Sequence, residues 1–103
     1  MDQSRRLEFQ AILQNIMGKN KVYFQPPASL MMDYPCIVYS LDDVWTRHAS
    51  NLPYARAARY KTMLIDRNPD TSYSAKLGAL PLSSFSSSYV VDGLNHHVYT
   101  IYF

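Results

Sequence analysis

The chain has 103 residues, of which 48 % are hydrophobic and only 17 % charged, with a formal net charge of +2. One domain over residues 1–103 is the natural unit at this length, and the apolar share can build a core while excluding an intrinsically disordered chain. A charge this small, on scattered basic residues that form no tail, makes no independent case for nucleic acid. Nine Tyr, four Phe and one Trp make the chain aromatic-rich. Tyr suits both half-buried strands and protein interfaces, so a low-charge, Tyr-rich domain reads either as a sheet lining or as an assembly subunit. The lone Cys36, inside the apolar run YPCIVY, excludes an internal disulfide framework and reads as a buried, inert thiol. No stretch has the length of a membrane span or the pattern of a signal peptide, so a soluble protein of a reducing compartment, with no membrane partner, is expected.

The first element is a helix over residues 4–17. Phe9, Ile12, Leu13, Ile16 and Met17 recur on one helical stripe, while Arg6, Gln10 and Gln14 form a face expected in solvent. Asp2 or Ser4 can cap its start, and Gly18 fits the left-handed position past its end. VYFQ at 22–25 reads as a short strand stopped by Pro26 and Pro27. Residues 28–33 connect, with Met31 and Met32 expected to cover an edge of the core. Tyr34–Leu41 is the most apolar strand candidate. Ile37 and Tyr39 share one face and Cys36 and Val38 the other, so the first helix is expected on one side and a neighbouring subunit on the other.

Residues 42–53 leave two readings open: a strand at Val44–Arg47, or a loop carrying Trp45 and Leu52. The length matches a hairpin excursion that prolongs the strands on either side, with Trp45 either in a contact arm or folded back on the core. Tyr54–Asp66, YARAARYKTMLID, is half helix former and half strand former. Its neighbours favour a strand antiparallel to Tyr34–Leu41, with Tyr60, Thr62 and Leu64 on one face and Arg59, Lys61, Met63 and Ile65 on the other. RNPDTS breaks it. A short helix over 72–80 follows, capped by Asp70, Thr71 or Ser72 and ended by Pro81. Phe85–Val91 and His97–Phe103 then read as strands, joined by an Asp92-Gly93 turn that Leu94 and Asn95 lengthen. The sum is an α+β domain: one mainly antiparallel sheet of four to five strands, flanked by an N-terminal helix and a short second helix.

No catalytic constellation stands out, and the chain is read as a non-enzyme without cofactor or metal. His96 and His97 point to opposite faces of a strand, which is poor spacing for one metal even if His48 and Asp92 approach. Asp66 and Asp70 bracket a turn, where Asp bonds the local backbone. The Gly-rich phosphate loop and the GxSxG context are both missing.

Five blocks carry a resemblance: NKVYFQPP at 20–27, MDYPCIVYSLDD at 32–43, PY at 53–54, YKTMLIDRNPDT at 60–71, and the closing LPLSSFSSSYVVDGLNHHVYTIYF. In that order they resemble the small tail-terminator, or head-to-tail joining, proteins of long-tailed bacteriophages and prophages. The resemblance implies a structural virion protein. It would form a ring, expected as a hexamer, that caps the tail tube and meets the head connector after assembly in the bacterial cytoplasm. Its implied partners are further copies of itself, a tail tube protein and a head-completion or connector protein, with transient contact to DNA in the lumen. Another neck or minor capsid protein, or a small nucleic-acid-binding module, are the alternatives. The family brings no catalytic residues. From chemistry alone, Tyr39, Trp45, Tyr54 and Tyr60 are the candidate assembly contacts, with Arg47, Arg56 and Arg59 near an interface or lumen.

Overall fold

The computed structural model describes residues 3–49 and 52–103, and their side chains apart from those of residue 3 and of residues 45–49 and 52–57. The elements are α1 (Gln3–Met17), β1 (Val22–Phe24), β2 (Cys36–Ala49), β3 (Leu52–Asp66), α2 (Ser72–Gly78), β4 (Ser83–Val91) and β5 (Leu94–Tyr102). They make an α+β fold with one five-stranded sheet in the order β1-β2-β3-β5-β4. Every neighbouring pair is antiparallel except β1 with β2.

Local chemistry explains the punctuation. Gly18 ends α1 at φ 108°, with its N–H on the Gln14 carbonyl at 2.8 Å. The Thr71 hydroxyl caps α2 by accepting the Tyr73 N–H. Asp66 and Asn68 each accept the N–H two residues on, which turns the chain out of β3. Asp92 and Gly93, at φ 52° and 76°, form a tight two-residue hairpin turn. Leu94 and Asn95 therefore do not lengthen that loop; they pair with Val91 and Val90 as the start of β5.

The register sets the core. Ile37 faces Leu64, Tyr39 faces Thr62, Tyr60 faces Ile101 and Thr62 faces Tyr99, so one face of the sheet presents these residues together. The α1 stripe packs on that face through Phe9, Leu13 and Met17, and α2 adds Leu77. Phe9 is the hub. Its ring stacks on Tyr60 at 4.7 Å, meets Tyr39 edge-on at 5.5 Å and lies 5.4 Å from Phe103.

Two expectations are corrected here. Arg6 and Gln10 are not a solvent face: Arg6 donates to the Tyr39 hydroxyl at 3.1 Å and lies over the Phe24 ring at 4.3 Å, and the Tyr39 hydroxyl donates to Gln10 Oε1 at 2.7 Å. Long polar side chains beside a buried phenol are drawn in to satisfy it. Met31 covers no edge, being 93 % exposed. The face of Cys36 and Val38 carries no helix among the described residues. It is closed in part by its own side chains, with Tyr89 reaching across from β4 to Met63 on β3 at 3.2 Å and stacking on His96. Cys36 is nevertheless fully buried, and burial pushes its thiol up to about 11, with Lys21 pulling weakly the other way. A thiol held neutral is a poor nucleophile.

The two central tyrosines differ in one testable respect. The Tyr39 hydroxyl is bonded on both sides, whereas the buried Tyr60 hydroxyl has no hydrogen-bond partner among the described residues. Tyr39→Phe should cost about 1 kcal/mol, and Tyr60→Phe should be neutral or stabilising, because it removes an unpaired polar atom. Urea denaturation of the two variants measures this, and equal losses would contradict the bonding pattern.

Candidate assembly interface

The β2–β3 hairpin outruns the sheet. Its ladder extends from Cys36 with Ile65 to Ala49 with Leu52, but β1 accompanies β2 only over Ile37–Tyr39, and β5 accompanies β3 only from Arg59 to Asp66. The last lateral bonds are reciprocal: the Ala58 and Phe103 N–H groups each donate to the other's carbonyl, at 3.1 and 2.9 Å. Beyond them the hairpin continues as a two-stranded ribbon, with no strand or helix packed beside it among the described residues. Six residues of strand give it roughly 20 Å of reach. The molecule is accordingly 51 Å long but 25 by 22 Å across, and its radius of gyration of 14.6 Å exceeds the ~13 Å of a compact chain this size.

The ribbon's root is fixed electrostatically. A bulge between Leu41 and Asp43 re-aims β2 there. Arg59 bonds Asp42 at 2.8 Å and lies 3.8 Å from Asp43. The hydrogen bond to Tyr102, then Asp42, hold its guanidinium more firmly protonated than usual. Arg59 thus ties β3 to β2 at the ribbon's root. Beside the root, Arg5, Ile12, Leu82 and Phe103 wall an apolar cavity of about 300 Å³, with the Arg5 guanidinium 4.2 Å above the Phe103 ring.

The second exposed feature is β4, the outer strand next to β5. Phe85 is 57 % and Val90 65 % exposed, Val91 lies open beside them, and SSFSSSYVV contains no charged residue and no proline. Edge strands are usually blunted by charge or proline. Here only the bulge at Phe85/Ser87 interrupts the edge, and Ser87–Val91 runs regularly.

The expected contact residues divide three ways. Tyr39 and Tyr60 are 0 % exposed and belong to the core, so they meet α1 and not a partner. Their positions opposite Thr62 and Ile101, on the face that the α1 stripe covers, decide this. Arg59 is at the ribbon's root. Trp45, Arg47, Tyr54 and Arg56 stand on the ribbon's backbone, Trp45 opposite Ala57 and Arg56 opposite Thr46, while their side chains lie outside the described residues. The same holds for His48. The other histidines do not converge: His97 faces α2, where Ser74 Oγ lies 3.3 Å from its Nδ1, and His96 is on the opposite face against Tyr89. The Ser74 hydroxyl is also 2.7 Å from Tyr99, so this group ties α2 to the sheet. No group of three metal-ligating side chains occurs among the described residues, and no helix among them is long and apolar enough to cross a membrane. The feature that sequence reasoning missed is the β4 edge, whose signal was the absence of charge over nine residues. No protein-family model and no curated protein matches this chain.

Proposed function

We propose that this chain is a structural subunit that assembles head to tail into a closed ring, in the manner that its resemblance to tail-terminator and head-to-tail joining proteins implies. Such a ring would cap a tail tube and join it to a head connector in a phage virion. The observation that carries the reading is the ribbon, a two-stranded extension beyond the core whose outer backbone edges have no intramolecular partner among the described residues. Residues 44–57, about a seventh of the chain, extend past the last strand that pairs laterally with the hairpin, as an assembly arm would. Heterologous contacts that close by rotation give rings. Native mass measurement and negative-stain imaging test the proposal. A single closed species, expected as a hexamer, supports it; a strict monomer at the highest soluble concentration, with and without a tail tube protein, overturns it.

One observation favours nucleic-acid contact as a second reading. Residues 44–57 include Arg47 and Arg56 and no acidic residue, while the remaining eight basic and eight acidic residues of the chain balance. The formal net charge therefore sits in the ribbon. In a ring whose ribbons faced the lumen, this basic charge would attract passing DNA. Anisotropy titration of duplex DNA at low salt separates the readings, because assembly without binding leaves only the ring.

A further inference from the structure

The sheet ends in β4 on one side and in the three-residue β1 on the other, and β1 leaves the distal part of β2 uncovered on that side. β1 stops at Phe24, Gln25 prolongs its lane by accepting the Leu41 N–H on its side chain and donating its own N–H to the Tyr39 carbonyl, and from Asp42 to Ala49 no strand lies on the outer side of β2 among the described residues. We infer that the β4 edge of one copy pairs with the outer edge of β2 in the ribbon of the next copy, so that one sheet continues from subunit to subunit. This inference rests on the ring reading and names the contact that closes it.

Polarity admits this pairing, as it does one with β1, which runs parallel to β2 but offers only three residues of edge. Since β2–β3, β3–β5 and β5–β4 are all antiparallel, β4 runs opposite to β2 within one subunit. Continuing the sheet into a rotated copy keeps strand directions, so β4 meets the neighbour's β2 antiparallel, the better hydrogen-bonding arrangement. The outer edge of β3 is the competing acceptor and fits worse. It runs parallel to β4, lies on the same side of the sheet as β4, and contains Pro53, which has no N–H to donate. Charge does not oppose the pairing. β4 carries none, and Asp42 and Asp43 already face Arg59. A β4–β4 pair would satisfy one edge and leave the other open. Because the free lane of β2 lies beyond the height of β4, successive copies are staggered along the strands, and a stagger is what a sheet closing on itself requires.

Hydrogen exchange on the full-length protein, as monomer and as ring, reads the contact directly. Amides of Ser83–Val91 and of residues 42–49 should both slow on the order of tenfold or more on assembly, while the outer amides of residues 52–57 should not. The variant S88K/V90K, which charges an exposed edge and touches no core residue, should weaken assembly at least about tenfold without changing the monomer's circular dichroism. Rings in which β4 amides stay unprotected, or in which S88K/V90K assembles as well as the parent, overturn this contact and leave the ring reading intact. Protection of β4 alone in a species of dimer mass overturns it in favour of β4–β4 pairing. No assembly under any condition overturns both.

Discussion

Phe9→Ala should cost about 3–5 kcal/mol, the largest loss expected of any single truncation in this chain. Phe9 is 1 % exposed and, alone among the described side chains, is in ring contact with Tyr39, Tyr60 and Phe103 together, so it joins α1 to β2, β3 and the end of β5. Its removal deletes a large apolar transfer term and three aromatic contacts. The void cannot close cheaply either. Phe9 already walls the cavity beside the ribbon's root, so truncation merges a new space with an old one. Against a total stability of about 5–15 kcal/mol for a domain of this kind, the variant should be partly unfolded at room temperature or lose most of its urea midpoint. Leu7→Ala is the control. Leu7 is on the same helix but about half exposed, and should change stability by no more than about 0.5 kcal/mol. A Phe9→Ala loss below about 1 kcal/mol would mean that α1 does not organise the core.

The elements that could be read in the sequence are those whose pattern is local. The α1 stripe has a period of 3.6, Asp92-Gly93 has turn chemistry that few other residue pairs satisfy, and the second helix starts at a hydroxyl cap. The hairpin was harder, because Ala55, Arg56, Ala57, Ala58 and Arg59 have helical propensity. They are strand because β2 lies opposite them, and such long-range pairing overrides propensity. The same locality explains the misplaced tyrosines. A Tyr is equally at home in a core and at an interface, and only its register decides. Tyr39 and Tyr60 fall in phase with Ile37 and Leu64 and so under α1, a phase that was visible, although the choice of face for a partner was not. Sheet order was not visible at all. Nothing in the periodicity of β5 says that it lies between β3 and β4, yet that insertion is what leaves β4 as an outer edge.

A division of labour follows from the topology. The half of the hairpin inside the sheet shares its pairing with β1 and β5 and contributes Ile37, Tyr39, Tyr60 and Leu64 to the core. The half outside pairs only with itself among the described residues. Stability and assembly should therefore be separable by cutting at the root.

Replacing residues 45–57 with Thr-Asn-Gly-Thr should abolish assembly while sparing the fold. Val44 and Ala58 are a register pair, and Ala58 turns its N–H and C=O to Phe103, so the two threonines take the next, hydrogen-bonded positions and close a two-residue turn without changing the alignment below. The described core residue nearest the cut, Ala58, is retained, as are the Arg59–Asp42 bond and the reciprocal Ala58–Phe103 bonds. Shortening the connection lowers the entropy of the unfolded chain and should change stability by no more than about 1–2 kcal/mol. The shortened protein should thus unfold near the parent's urea midpoint with the same cooperativity. Its mass in solution should instead be that of a monomer at every concentration at which the parent is a ring, because the outer edge of β2 that would receive the next copy's β4 is gone. Unfolding of the shortened protein would mean that ribbon side chains fold back onto the core, the alternative open for Trp45. A shortened protein that still closes rings would move the assembly contact off the ribbon, leaving β4 and the cavity beside Phe103 as the surfaces that carry it.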